Sequence, residues 1–187
     1  MLKAIRPSIV MIALFTLLLG VAYPLAVTGI AQAAFPAQAN GSLVRNDRGQ
    51  VVGSSLIGQP FAGAGYLHPR PSAAGDGYNA AGSSGSNLGP LNEDLKTRVA
   101  ETALAIRAED GAGAIPADAV TTSASGLDPD ISPAYARLQA ARIARARGVP
   151  VEEVQKVIDR HTEGAFLGFI GQPHVNVLMA NRAIDAR

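Results

Sequence analysis

Apolar residues run almost unbroken from Ile9 to Ala34, and no Asp, Glu, Lys, Arg or His occurs from Pro7 to Val44. A membrane-crossing helix needs about 20 predominantly apolar residues, so this run is long enough to span a bilayer. Pro24 lies within it, where a proline kinks a membrane helix rather than ending it. The competing reading is a cleavable signal peptide, with Ala31-Gln32-Ala33 or Ala37-Gln38-Ala39 as the cut site. Signal peptides have apolar regions of about 7–15 residues, much shorter than this one, which favours a retained anchor. The pattern therefore predicts an N-terminus at 1–7, a transmembrane helix at 8–34 and a soluble domain at 35–187. Lys3 and Arg6 precede the helix, while Arg45 and Arg48 beyond it are offset by Asp47. By the positive-inside rule the N-terminus is cytoplasmic and the domain extracytoplasmic. One helix face carries Ala22, Ala26, Gly29 and Ala33, small residues that let a second membrane helix approach closely.

Beyond the anchor the pattern breaks into short segments. Leu43–Ile57 reads as a β-hairpin around Asn46-Asp47-Arg48-Gly49. From Gly58 to Leu91 the chain is rich in Gly, Pro, Ser and Asn, yet Phe61, Tyr66, Leu67, Tyr78 and Leu88 supply apolar anchors that a spacer would not need. An ordered irregular loop is the expectation. Asn92–Glu109 reads as a helix capped by Asn92, with Leu95, Val99, Thr102, Ala103 and Ile106 on one face. Ser132-Pro133 starts a second helix that Gly148 closes, and its Ala136, Ala140, Ile143 and Ala144 suit close packing. Val151, Val154, Val157 and Ile158 define a third, with Glu152 and Lys156 paired one turn apart. Gly164–Gly171 is apolar and predicts a buried strand, and Val175–Ala186 predicts a helix. No internal repeat is present. The fold class is α+β: one N-terminal transmembrane helix followed by a mixed α+β extracytoplasmic domain.

Composition narrows the functions. A formal net charge of +1 gives no reason to expect nucleic acid as a partner. The absence of cysteine removes disulfides, thiol nucleophiles and Cys-ligated metals. With no tryptophan and few aromatics, the core must be built from Val, Ile, Leu and Ala.

The stretches that resemble chemistry fall short of it. Gly82–Gly89 looks like a phosphate loop, but such loops need a lysine after the last glycine, and here Pro90 follows, which has no amide hydrogen. Thr121–Asp130 places Ser123 and Ser125 beside Asp128 and Asp130, and His161 or His174 could complete a triad. Neither serine sits in the Gly-x-Ser-x-Gly elbow. Asp128 and Ser132 read as turn and helix caps, and His161 as a helix C-terminal residue. Arg137, Arg142, Arg145 and Arg147 form a basic stretch whose simplest reading is a solvated helix face, with anionic headgroups or an acidic partner as alternatives. No catalytic or metal-ligating residues are predicted.

The same segments resemble the KdpC family, subunits of the Kdp-type potassium-transporting P-type ATPase, in order along nearly the whole chain. The matching blocks are Arg6-Pro7, Gly20–Pro24, Ala39–Leu43, Gly53–Gln59, Arg70–Ala73, Tyr78-Asn79, Gly85–Pro90, Ser123–Pro129 and Val175–Leu178. Departures from the family pattern are Pro69 for a small residue, Leu67 for Phe, Gln172 for an acid and His174 for Arg. The resemblance implies a non-catalytic accessory subunit in the cell inner (plasma) membrane that stabilises assembly. It also implies a catalytic chaperone that raises the ATP affinity of the ATPase subunit. Its implied partners are a channel-like potassium-translocating subunit, a P-type ATPase subunit, a small accessory subunit and membrane lipid. ATP and K⁺ then act in the assembled complex rather than as ligands of this chain. Arg70, Ser72, Asn79, Asn87, Asp128 and Asn176 are its candidate interaction residues. The rival class is a membrane-tethered envelope hydrolase, using Ser123 or Ser125 with His161, or an envelope binding protein.

Overall fold

The computed structural model describes residues 2–186, and the chain divides after Val52 into two compact units. In the first, Lys3–Ala34 form one continuous helix of 32 residues, whose most apolar 18-residue stretch has a mean hydropathy of 2.4 and is not buried in protein. It comprises α1 (Leu2–Leu17), a π-helical turn (Leu18–Ala22) and α2 (Tyr23–Ala34). The π turn explains how the helix survives Pro24. A proline lacks an amide hydrogen and crowds the carbonyl four residues back. The widened turn just before it, in which the Tyr23 N–H donates to Leu18 O, accommodates the proline locally. Ala22, Ala26, Gly29 and Ala33 all face outward.

After Phe35 the short helix α3 (Pro36–Ala39) is tied back by Asn40 Nδ2, which donates to Gln32 Oε1 at 3.0 Å and Pro36 O at 2.6 Å. The predicted hairpin follows as β1 (Leu43–Arg45) and β2 (Val51–Ser54). Its turn is held by the Asn46 side-chain oxygen, which accepts from the amides of Arg48 and Gln50 at 3.1 and 2.9 Å, while Gly49 takes φ +75°.

The second unit contains α4 (Glu93–Asp110), α5 (Ala117–Val120), β3 (Asp130–Ile131), α6 (Pro133–Arg147), α7 (Val151–Arg160), β4 (Thr162–Glu163), β5 (His174–Asn176) and α8 (Val177–Asp185). The strands form an antiparallel sheet in the order β3-β5-β4, with Ile131 and Thr162 both opposite Val175. Helix α6 starts as predicted: the Ser132 hydroxyl accepts from Tyr135 N, and Pro133 occupies the first turn. Gly148 ends it at φ +66°. Ala136, Ala140 and Ala144 keep one face of α6 flat, and Ile143 is buried with Val154, Val157, Ile158, Val175 and Ile184 in a single core.

Three expectations change. Gly164–Gly171 is not a buried strand: only Thr162–Glu163 pair with β5, and the chain then turns between Phe166 and Ile170 with its apolar side chains outward. Gly168 and Gly171, at φ +82° and +87°, break the extended path that a strand requires. Val175–Ala186 is not helical throughout, because Asn176 stops the strand and caps α8 by accepting from Met179 N at 3.1 Å. The arginines of α6 form a solvated face only in part: Arg137 and Arg145 are exposed, but Arg142 and Arg147 turn inward. Arg142 is buried against Asp110 at 2.8 Å, Arg147 pairs with Asp185 at 2.6 Å and Arg137 with Asp159 at 2.9 Å.

The irregular loop is ordered, as expected, and its means of ordering is the main feature of the unit. A segment without regular structure carries backbone donors and acceptors that need partners once buried. Leu67 is fully buried; its N–H donates to Asn181 Oδ1 at 2.7 Å and its carbonyl accepts from Asn181 Nδ2 at 3.0 Å. His68 is gripped the same way by Gln139, at 2.7 and 3.1 Å. Arg142 Nη1 donates to the carbonyls of Ala64 and Tyr66, at 2.8 and 3.0 Å. Arg142 Nη2 donates to Gln139 Oε1 at 2.7 Å. Side chains of α6 and α8 thus stand in for a neighbouring strand.

Asn181→Ala strands a buried N–H and a buried C=O and is expected to cost about 2–4 kcal/mol. Arg142→Ala leaves Asp110 without its buried counter-charge and is expected to cost about 3–5 kcal/mol. Urea unfolding of the full chain in detergent micelles checks both; losses below about 0.5 kcal/mol would mean that these side chains do not hold the loop.

Candidate functional site

The candidate interaction residues fall on two facing segments, 70–87 and 121–130, plus the start of α8. Arg70 Nη1 donates to Asp128 Oδ2 at 2.7 Å, and its backbone carbonyl accepts from the Tyr78 hydroxyl. Asp128 also accepts from Asp130 N at 3.1 Å, capping the turn that leads into β3. The Ser72 hydroxyl donates to Gly126 O at 2.6 Å and accepts from Ala74 N and Tyr78 N at 3.2 and 2.8 Å. Gly126 sits at φ +67°, and a Cβ there would lie 2.6 Å from Ser84 O, so the two segments meet in direct backbone contact. Asn79 caps a 3-10 turn over Ala80–Gly82 by accepting from Ala81 N at 3.0 Å. Asn87 takes the left-handed conformation at φ +52°, which Asn tolerates better than most residues. Asn176 Nδ2 donates to Ser55 O at 2.9 Å and Asp130 Oδ1 at 3.0 Å while its oxygen caps α8. Arg70, Ser72 and Asp128 are therefore brought together as one staple, with Asn79 in the adjoining turn. Asn87 acts through backbone conformation, and Asn176 lies with Asp130 at the sheet edge.

The stretches that suggested chemistry are turned to structural use. Ser84 N and the Ser83 hydroxyl both donate to Ser125 O at 3.0 Å, which ties the glycine-rich loop to residues 123–126. Ser123 and Ser125 share a 3.3 Å hydrogen bond, and Ser125 Oγ accepts from Leu127 N. His161 bonds Val157 O through Nδ1 at the end of α7. His174 Nε2 lies 3.8 Å from carboxylate oxygens of both Asp130 and Glu163. Burial raises the Asp130 carboxyl above its ordinary value, although His174 and Asn176 oppose the shift. Among the described residues, no group of three or more His, Asp or Glu is placed to hold a metal ion.

An open cleft of about 360 Å³ runs between the irregular loop and α4, lined by Phe61, His68, Arg70, Tyr78, Ile106, Glu109 and Tyr135. Its volume is at the small end for a ligand site. His68 Nε2 donates to Gly63 O at 3.2 Å, and Nδ1 lies 3.5 Å from Glu109 Oε2. Burial, and then the nearby Arg142, push the imidazole below its ordinary value of 6.5. The hydroxyls of Tyr78 and Tyr135 are raised by burial and stay protonated through the physiological range.

The residues that sequence reasoning missed are Gln139, Asn181 and the Arg142–Asp110 pair. A signal existed: Gln139 sits on the same stripe as Ala136, Ala140 and Ile143, and a polar residue on an apolar face requires a buried partner.

A depressed His68 value means that the fold prefers the neutral ring. Its contribution is fully present above pH 6.5 and is lost as the pH falls through the lower folded value. Unfolding free energy measured between pH 7.5 and 5 is expected to fall on acidification, and His68→Asn is expected to flatten that slope. Asp130, shifted the other way, contributes an opposite slope: its stabilisation is fully present below 3.8 and is lost as the pH rises through its raised folded value. An unchanged slope in the variant would remove His68 as its source.

Comparison with known proteins gives a concordant result. A family model described as KdpC, the K⁺-transporting ATPase c chain, matches residues 5–186. A potassium-transporting ATPase KdpC subunit from Caulobacter sp. (strain K31) is 65% identical over 187 residues, covering 100% of this chain and 95% of that protein. The protein of that name from Myxococcus xanthus is 57% identical over 188 residues, covering 100% of this chain and 87% of its own. The one from Mycobacterium tuberculosis is 52% identical over 188 residues, covering 99% of each.

Proposed function

The chain belongs to the KdpC family of K⁺-transporting ATPase subunits, and on that premise we propose that it acts there as a non-catalytic accessory subunit. Being a subunit of a potassium-transporting complex, it acts beside other chains and carries one candidate transmembrane helix. The partners we propose are the channel-like potassium-translocating subunit, the P-type ATPase subunit and the small accessory subunit.

The observation that carries this reading is how the polar side chains are used. Arg70, Ser72, Asp128, Arg142 and Arg147, the groups best suited to bind or activate a substrate, direct most of their hydrogen bonds to backbone and to neighbouring side chains, with the buried Arg70 Nε left without a partner. A rigid irregular surface results, which suits docking against other subunits. The Arg70–Asp128–Ser72 staple, with Asn79, Asn87 and Asn176, is proposed to shape that surface.

In this reading the apolar helix stays in the inner membrane with its N-terminus in the cytoplasm and the domain outside. ATP is then out of reach, so any rise in the ATPase subunit's nucleotide affinity is indirect. The chain achieves it by binding one conformation of the complex more tightly than another. The outward-facing Ala22, Ala26, Gly29 and Ala33 stripe is the proposed seat for a neighbouring helix.

Affinity purification of the chain from detergent-solubilised native membranes is expected to recover a channel-like subunit and a P-type ATPase in fixed ratio. A chain recovered alone would contradict the accessory role. Leucine at both Ala26 and Gly29 is expected to lower the recovery of partners several-fold, and unchanged recovery would exclude the stripe.

A further inference from the structure

His68 and Glu109 meet in the cleft between the irregular loop and α4 in a way that satisfies neither. A carbonyl oxygen can only accept, so the 3.2 Å contact with Gly63 O puts the proton of a neutral His68 ring on Nε2. Nδ1 then keeps its lone pair, and it lies 3.5 Å from Glu109 Oε2, a second acceptor. The other neutral tautomer only moves the mismatch to Gly63 O. A doubly protonated ring would bond to both, but burial and Arg142 disfavour it, against the opposing pull of Gly63 O, Glu109 and Asp110. Two acceptors therefore stand side by side with no donor between them.

The surrounding charges leave the Glu109 carboxylate without a fixed counter-ion. Arg142 is neutralised by Asp110 at 2.8 Å and Arg70 by Asp128 at 2.7 Å. Arg145 reaches only the Glu109 backbone carbonyl, at 3.4 Å. The same cleft holds a third unmet group. Tyr135 is 4% exposed, burial keeps its hydroxyl protonated, and that hydroxyl makes no hydrogen bond among the described residues. Buried polar groups are normally bonded, so an orphan of this kind in a cleft points to a ligand. Phe61, Tyr78 and Ile106 give the cleft an apolar and aromatic lining, and aromatic ring faces attract cations.

We propose that the His68–Glu109 pair binds the ammonium group of a small soluble primary amine, whose short carbon chain packs on the apolar lining of the cleft. One nitrogen fits about 2.8 Å from both acceptors. Its N–H groups donate to Nδ1 and Oε2, its charge meets the carboxylate, and a third N–H remains for the Tyr135 hydroxyl or for water. A carboxylate or phosphate ligand would set acceptors against acceptors and is excluded by the same chemistry. A volume of about 360 Å³ suits a small molecule, and Glu109, 51% exposed, keeps the mouth open to solvent.

The probe is n-propylammonium chloride, added at neutral pH to the full chain in lipid nanodiscs and followed by the ring signals of isotope-labelled His68, assigned with His68→Asn. A saturable shift is expected. Tetramethylammonium, which has the charge but no N–H, and 1-propanol, which has no charge, are expected to bind at least about tenfold more weakly. Glu109→Gln is expected to weaken propylammonium by a similar factor while thermal unfolding barely changes, because the side chain is half-exposed. Affinity is also expected to fall on acidification, as Nδ1 takes up a proton and ceases to accept.

The absence of a saturable shift would overturn the proposal. So would equal binding of tetramethylammonium, which reduces the site to charge attraction, or an unchanged affinity in Glu109→Gln. In the complex purified with its other subunits, propylammonium is expected to bind as it does to the chain alone. Loss of binding there would assign the cleft to a partner's side chain and overturn the free-amine site.

Discussion

A buried backbone without helix or strand must have its polar groups satisfied by something else, and here three side chains do it. Asn181 and Gln139 each close two hydrogen bonds on consecutive residues of the loop, and Arg142 collects two more carbonyls just upstream. The rest of the second unit is arranged around that requirement. Ala136, Ala140 and Ala144 pack the α6 face that carries Gln139 into the same buried core. Asp110, at the end of α4, balances the charge that Arg142 brings inside. Arg147 extends the same device outward, bonding Gly65 O and lying 4.8 Å over the Tyr66 ring while it pairs with Asp185.

Local signals make much of this legible. The Asn46–Gly49 turn, the Ser132-Pro133 start and Gly148 stop of α6, and the apolar stripe of α7 each follow from side chains adjacent in sequence, and each forms as read. What escapes depends on distant partners. Nothing local says that Arg142 meets residues 64–66, more than 70 positions away, so its arginine run reads as a solvated face. Residues 164–171 mislead for a different reason: apolar composition suggests burial, while the glycines set the backbone path and turn those side chains outward. For the candidate interaction residues, the motif match names positions that the structure binds into staples and caps.

The two units suggest a division of labour. An apolar helix with an outward small-residue face is suited to lateral packing in the membrane, and a cross-braced domain is suited to holding a partner in one shape. A subunit of this kind alters catalysis elsewhere only through differential binding. A tenfold change in the nucleotide affinity of the ATPase subunit requires about 1.4 kcal/mol of preference for one conformation of the complex. Burial of one or two apolar side chains is enough to supply that.

In the proposed role the chain influences ATP use without touching ATP. The most direct test is equilibrium nucleotide binding, measured on the full chain alone in nanodiscs and on the complex purified with and without it. No saturable binding to the chain alone is expected, and weaker ATP binding by the complex that lacks it. Saturable binding of ATP by the isolated chain would contradict the account.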